Sequence, residues 1–230
     1  MLKLIKLEIK KFKLWNYWKA VSVCNISFIA LLSMMLFVEI DDEKMPFESF
    51  GMAASVIGAM VRTTFTIFAS IIIVKLIIDE YKNKSIDVLF SYPIKRKKII
   101  SAKLTIVLVF TFVNVLSSTL FLEGLVYLAD LNFNILPGVI KSGEISRELL
   151  TAFMNAIATA GISLIPLLFG MLRKSATATI VSSIFIASIL NSTSEDFTLF
   201  SIIVVPLLLG LFGLFIGFYA IQNIEKKDLA

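Results

Sequence analysis

Two ionisable side chains, Arg62 and Glu123, stand inside long apolar runs, and they have the greatest capacity for chemistry in this sequence. An arginine in the middle of a membrane span costs about 2.5–3.5 kcal/mol on insertion scales, so Arg62 should face a bundle interior or a wet cavity. Pairing with Glu123 is one way to lower that cost. Uncharged polar residues recur at helical spacing around both: Ser55, Gly58, Ala59, Thr66 and Ser70 share a stripe with Arg62. Thr111, Asn114 and Ser118 precede Glu123, and Thr151, Asn155, Thr159 and Ser163 repeat every four residues further on. Arg62, Thr66, Asn114, Glu123, Asn155 and Thr159 are therefore candidates for lining a translocation path. Small and hydroxylated residues are also the usual contacts between spans, and the Ser and Thr positions suit that role better. Lys75 lies nearer the end of its run, where its stem can snorkel.

Several other chemistries are absent. The chain has no histidine, which removes the commonest metal ligand and the Ser/His and Cys/His catalytic pairs. Cys24 is the single cysteine, so no intrachain disulfide can form. An intramembrane enzyme would need paired carboxylates or histidines at membrane depth, and only Glu123 comes close. The chain is expected to be non-catalytic, with no metal or cofactor of its own.

The elements that carry these residues follow from composition. The chain has 230 residues, of which 58% are hydrophobic and 17% charged, and its mean hydropathy is +0.91. So little charge could not cover a soluble surface, and lipid must solvate much of it. Six stretches approach or exceed the roughly 20 apolar residues a span requires: 20–38, 52–78, 105–128, 149–171, 176–190 and 199–221. The fifth is short, which suits an untilted or partly re-entrant segment. Lysine and arginine fall in alternate connections. They precede the first stretch, run from Lys82 to Lys103 between the second and third, and recur at Arg173, Lys174, Lys226 and Lys227. Short basic connections stay cytoplasmic, so both termini are expected inside. The net charge of +5 is thus a topology signal and does not point to nucleic acid.

Residues 1–18 place Lys3, Lys6, Lys10 and Lys13 on one helical face and Leu2, Ile5, Ile9 and Phe12 on a neighbouring one. This predicts an amphipathic elbow helix at the inner headgroup region, its lysines toward anionic lipid, although a generic basic anchor fits the same pattern. Residues 19–230 then form one all-α integral membrane domain. Pro166 is expected to kink the fourth span near Gly161 and Gly170, and Pro206 to bend the sixth. Gly213 and Gly217 form a GxxxG that could permit a close helix contact.

The most specific signal is the connection 79–104, DEYKNKSIDVLFSYPIKRKKIISAKL. Ser85 is a plausible N-cap and Asp87 lies in the first turn, where a carboxylate favours the helix dipole. Ile86, Leu89 and Phe90 form an apolar face about two turns long, until Pro93 disfavours helix at Tyr92. The basic run from Lys95 returns the chain to the membrane, with the third span beginning near Ala102 and Lys103. Such a helix has little core of its own and suits docking into another protein's groove.

These residues resemble the ABC-2 family of ATP-binding-cassette permeases. In order, the correspondence rests on Glu80 leaving the second span, Ser85 at the helix start, Leu89, Pro93 with Arg96, and Ala102 with Lys103. Lys84-Ser85 departs from the Gly-Thr of many members. The resemblance implies six transmembrane helices and a coupling helix that engages a separate ABC ATPase through Glu80, Ser85, Ile86, Leu89, Phe90, Pro93 and Arg96. It also implies a second permease copy or a sibling permease, and a place in the bacterial cytoplasmic membrane. ATP and Mg2+ would bind the partner ATPase, because the GxxxxGK[ST] phosphate cradle is missing from this chain. Family habit suggests export of a hydrophobic or amphipathic substrate, such as an antimicrobial or cytolytic peptide or a toxin. A non-transporting membrane scaffold or sensor that binds a cytoplasmic partner through the same loop is the other function class that fits.

Overall fold

Long uninterrupted apolar runs can satisfy their backbone in lipid only as helices, and the chain adopts that solution. The computed structural model describes residues 2–13, 16–41, 47, 49–82, 96–133, 135, 142–191, 193–194, 197–198, 200 and 204–226. Helix α1 (Leu2–Lys11) ends in a turn in which Lys13 takes a left-handed conformation, φ 50°, and α2 (Asn16–Asp41) follows. Helix α3 (Phe50–Ile73) begins at Ser49, whose side chain accepts from the Met52 N–H, and runs on through a π-helical turn, Val74–Ile78, and a last helical turn, Asp79–Lys82. Then come α4 (Arg96–Phe133), α5 (Ser142–Ile162), α6 (Ile165–Arg173), α7 (Ala176–Leu190) and α8 (Val204–Lys226). One two-residue antiparallel pairing, Thr193–Ser194 with Phe197–Thr198, lies between α7 and α8.

Among the described residues, five segments are long and apolar enough to cross a bilayer: Asn16–Met35, Phe50–Lys82, Lys97–Phe133, Gly143–Arg173 and Val204–Gln222. The expected fifth span is the 15-residue α7. At 1.5 Å per residue it reaches about 22 Å, short of a roughly 30 Å hydrocarbon core. The third span begins earlier than its basic residues suggested. Helix already exists at Arg96, and residues 83–95 lie outside the described residues. Ser85, Ile86, Leu89, Phe90 and Pro93 lie outside the described residues, and Arg96 is described only by its place at the start of α4.

The two prolines behave differently. Pro166 sits in the first turn of α6, and the fourth span breaks at Ser163–Leu164, where the Leu164 N–H turns to the Gly161 carbonyl at 3.1 Å. A proline removes the N–H and crowds the carbonyl four residues back, which ends α5. Pro206, expected to bend the sixth span, lies at the third described residue of α8, and the residues just before Val204 lie outside the described residues.

Two large apolar clusters form most of the core, with a small third of Ile162, Leu190 and Phe200. One joins Ile72, Ile73, Val74, Leu76, Ile77, Ile78, Ile100, Leu104, Val107, Leu164, Leu167 and Ala220, on the elements that flank residues 83–95. The other joins Val21, Phe28, Phe50, Ile57, Phe65, Val115, Leu122 and Ala156. Ile5 and Ile9 of α1, with Phe12 in the turn that follows, pack onto the first, so the apolar face of α1 is applied to the bundle.

Candidate functional site

The residues that flank the 83–95 connection assemble into a buried charged neck. Lys103, two turns into α4, is fully buried, and its ammonium donates to Glu80 Oε2 and, at 2.7 Å, to the Leu76 carbonyl. Leu76 belongs to the π-helical turn, in which backbone pairing departs from the usual register. Glu80 in turn accepts from Lys11 Nζ at 2.8 Å through its other oxygen. Glu8 Oε2 lies 3.9 Å from Lys103 Nζ and has no hydrogen-bond donor among the described residues. Burial pushes the Glu8 carboxyl above its ordinary range, opposed chiefly by Lys103. The Phe12 ring closes the group, with Lys103 Nζ 5.5 Å and Lys11 Nζ 4.8 Å from its centroid.

Two acids and two bases thus bind α1 to both stems of the connection. Removing ions from water is costly, and a buried ion pair usually adds little net stability over an apolar replacement. What the neck does provide is a fixed geometry, because Lys103 donates to Glu80 and the Leu76 carbonyl while facing Glu8 of α1.

Glu80 and Lys103 were legible from their spacing about the connection. Glu8 was not singled out, although it is the one acid in α1 and lies three or four residues from Ile5 and Phe12, on the apolar side. That misplacement of a carboxylate on an apolar face is the signal that could have revealed it.

The intramembrane polar residues fall into two groups. Arg62 is buried and is not paired with Glu123, which lies on a different part of the bundle without a salt bridge among the described residues. Its Nη2 donates to Asn191 Oδ1 at 3.3 Å, and its guanidinium lies 3.9 Å from the centre of the Phe200 ring. Asn191 donates to Thr63 Oγ1 at 2.9 Å and to the Ala187 carbonyl at 2.8 Å. Arg62 therefore pins the carbonyl end of the short α7, where a cation is favoured by the helix dipole. A Cβ on Gly58 would lie 2.6 Å from Arg62 Nη1, so the missing side chain makes room for the guanidinium.

Thr66, Asn114, Glu123 and Thr159 are buried, and Asn155 is half-buried. Asn114 donates to the Phe110 carbonyl at 2.7 Å, whereas its Oδ1, Ser118 Oγ and Thr159 Oγ1 have no partner among the described residues. Ser70 and Ser183 hydroxyls meet at 3.0 Å between α3 and α7, a packing contact of the expected kind.

Comparison with known proteins bears on both groups. The model of the family described as ABC-2 family transporter protein matches residues 4–191. The chain is 37% identical over 225 residues to the uncharacterized protein YcbO of Bacillus subtilis (strain 168), a match covering 98% of this chain and 99% of that protein. No solved structure matches the chain. Since the family match takes in the elbow, the neck and the polar stripes of a chain with several membrane-length apolar helices, this multi-pass membrane protein belongs to the ABC-2 transporter family.

Proposed function

We propose that this chain is the membrane permease of an ABC exporter in the bacterial cytoplasmic membrane, with both termini cytoplasmic and six membrane-embedded helices. A separate ABC ATPase subunit hydrolyses ATP and pushes on Ile86, Leu89 and Phe90. The permease, paired with a second copy or a sibling, alternates between inward- and outward-open states. Its cargo is a hydrophobic or amphipathic molecule, with a membrane-active peptide as the first class to test. One observation supports this reading most directly: four charges fix the elbow and both stems at the place where the 83–95 connection leaves the bundle. A push on that connection is delivered to α3 and α4 together instead of being absorbed by loose stems.

The direct test is the double substitution Leu89→Asp/Phe90→Asp. It is expected to abolish ATP-dependent efflux of amphipathic peptides from cells expressing the permease with its ATPase, while leaving membrane insertion and helix content unchanged. Undiminished efflux would refute the coupling role. Arg62→Ala is expected to impair efflux at least 10-fold more than Lys75→Ala, since truncation leaves Asn191 and the end of α7 without their cation. Equal effects of the two would remove Arg62 from the mechanism.

A further inference from the structure

Beside the neck, where α1 turns into α2, an open recess of about 450 Å3 is lined by Lys11, Phe12, Lys13, Asn16, Tyr17, Ala20, Phe68 and Lys75. Its charge is one-sided. Lys11 is engaged by Glu80, but Lys13 and Lys75 are exposed and have no acidic partner among the described residues. Counting the adjoining neck, the acids ion-paired with Lys11, Lys13, Lys75 and Lys103 among the described residues are Glu8 and Glu80, an excess of two positive charges (4 − 2). Lys75 Nζ rests 5.2 Å from the centre of the Tyr17 ring, and Tyr17 meets Phe68 edge-on at 5.9 Å and Phe110 at 6.5 Å. The basic rim therefore continues into an apolar, aromatic wall made by the first turns of α2, Phe68 of α3 and, behind them, Phe110 of α4.

We propose that this recess binds the headgroup of an anionic phospholipid, its phosphodiester held by Lys13 and Lys75 and its proximal acyl chain laid along Ala20 and Phe68. Free phosphate would use the lysines but not the wall, and a zwitterionic lipid would bring its own cation toward them. The lysine excess at the inner headgroup level selects an anionic lipid, because each lysine near such a surface contributes on the order of 1 kcal/mol. The site depends on the membrane placement of the chain and not on the ATPase reading.

The test is native mass spectrometry of the full-length chain, released from mild detergent after titration with dioleoyl-phosphatidylglycerol or dioleoyl-phosphatidylcholine. The wild-type chain is expected to retain one phosphatidylglycerol in preference to phosphatidylcholine. Lys13→Gln/Lys75→Gln should weaken that binding by roughly 30-fold, the equivalent of two lost lysine contacts. Arg173→Gln/Lys174→Gln, which removes the same charge from another connection, should leave it unchanged, and Lys75→Arg should bind as wild type. Lys13 and Lys75 are both exposed, so folding is not at stake. Equal retention of the two lipids, an unchanged Lys13→Gln/Lys75→Gln variant, or displacement of the lipid by millimolar inorganic phosphate would each overturn the proposal.

Discussion

Lys103→Met is expected to lower the stability of the isolated chain by about 3–5 kcal/mol, because it takes the buried hydrogen-bond donor from Glu80 and the Leu76 carbonyl and the facing cation from buried Glu8. The origin of the loss can be separated from simple packing. Methionine nearly matches the lysine stem in volume, so no large cavity opens, and the deficit is electrostatic. Replacing the acids as well, in Glu8→Met/Glu80→Met/Lys103→Met, should recover most of the loss, since apolar replacement of a whole buried ion group is often neutral. Lys11, half-exposed in its side chain, tolerates losing Glu80. Equilibrium unfolding of the detergent-solubilised chain measures all three states. A single Lys103→Met variant as stable as wild type would mean that the neck is hydrated and not a buried clasp. The triple variant also offers a functional contrast: a folded permease without its neck should hydrolyse ATP through its partner yet export poorly.

The second large effect is expected in the crossing of α5 and α8, where glycines bring two backbones together. A Cβ on Gly213 would strike the Gly161 carbonyl, one on Gly161 would strike the backbone of Gly210, and one on Gly210 would come within 2.9 Å of the Ala158 carbonyl. Backbone atoms in packed helices cannot swing aside as a side-chain tip can, so the helices themselves must separate. Gly213→Ala should cost about 1–3 kcal/mol, with Gly213→Val costing more. Gly124→Ala supplies the control, because nothing lies within 4 Å of its Cβ, and it should be neutral or gain up to about 1 kcal/mol from helix propensity. Matching stabilities for Gly213→Ala and Gly124→Ala would show that the two helices do not touch through these glycines.

That crossing also illustrates what the sequence could convey. The GxxxG of Gly213 and Gly217 correctly marked α8 as a close-packing helix. The partner and the register were invisible, and the contact uses Gly210 and Gly213 while Gly217 meets the flexible Leu164 side chain. The spans themselves were legible because membrane solvation demands about 20 apolar residues at a stretch. Their ends were less so: Lys97, Lys98 and Lys103 looked like charges of the connection, yet lysine is a good helix former and α4 already includes them. Arg62 was rightly expected to be buried, but Asn191 is 129 residues away and nothing in its local pattern links the two. The π-helical turn at Val74–Ile78 left no trace in the local pattern, and the donor to its Leu76 carbonyl, Lys103, is 27 residues away. Of the neck, Glu80 and Lys103 were visible as motif residues, whereas the part played by Glu8 and Lys11 emerges only once α1 is folded back onto the bundle.

The central claim, that the 83–95 connection engages a separate ATPase, is tested most directly by purifying the chain in mild detergent from its native membrane and identifying what accompanies it. The account predicts a stoichiometric protein carrying the GxxxxGK[ST] phosphate cradle, with ATPase activity in the eluate, both lost with Leu89→Asp/Phe90→Asp. A chain that purifies alone and neither binds nor stimulates an ATPase would contradict it, and would leave a membrane scaffold as the better description.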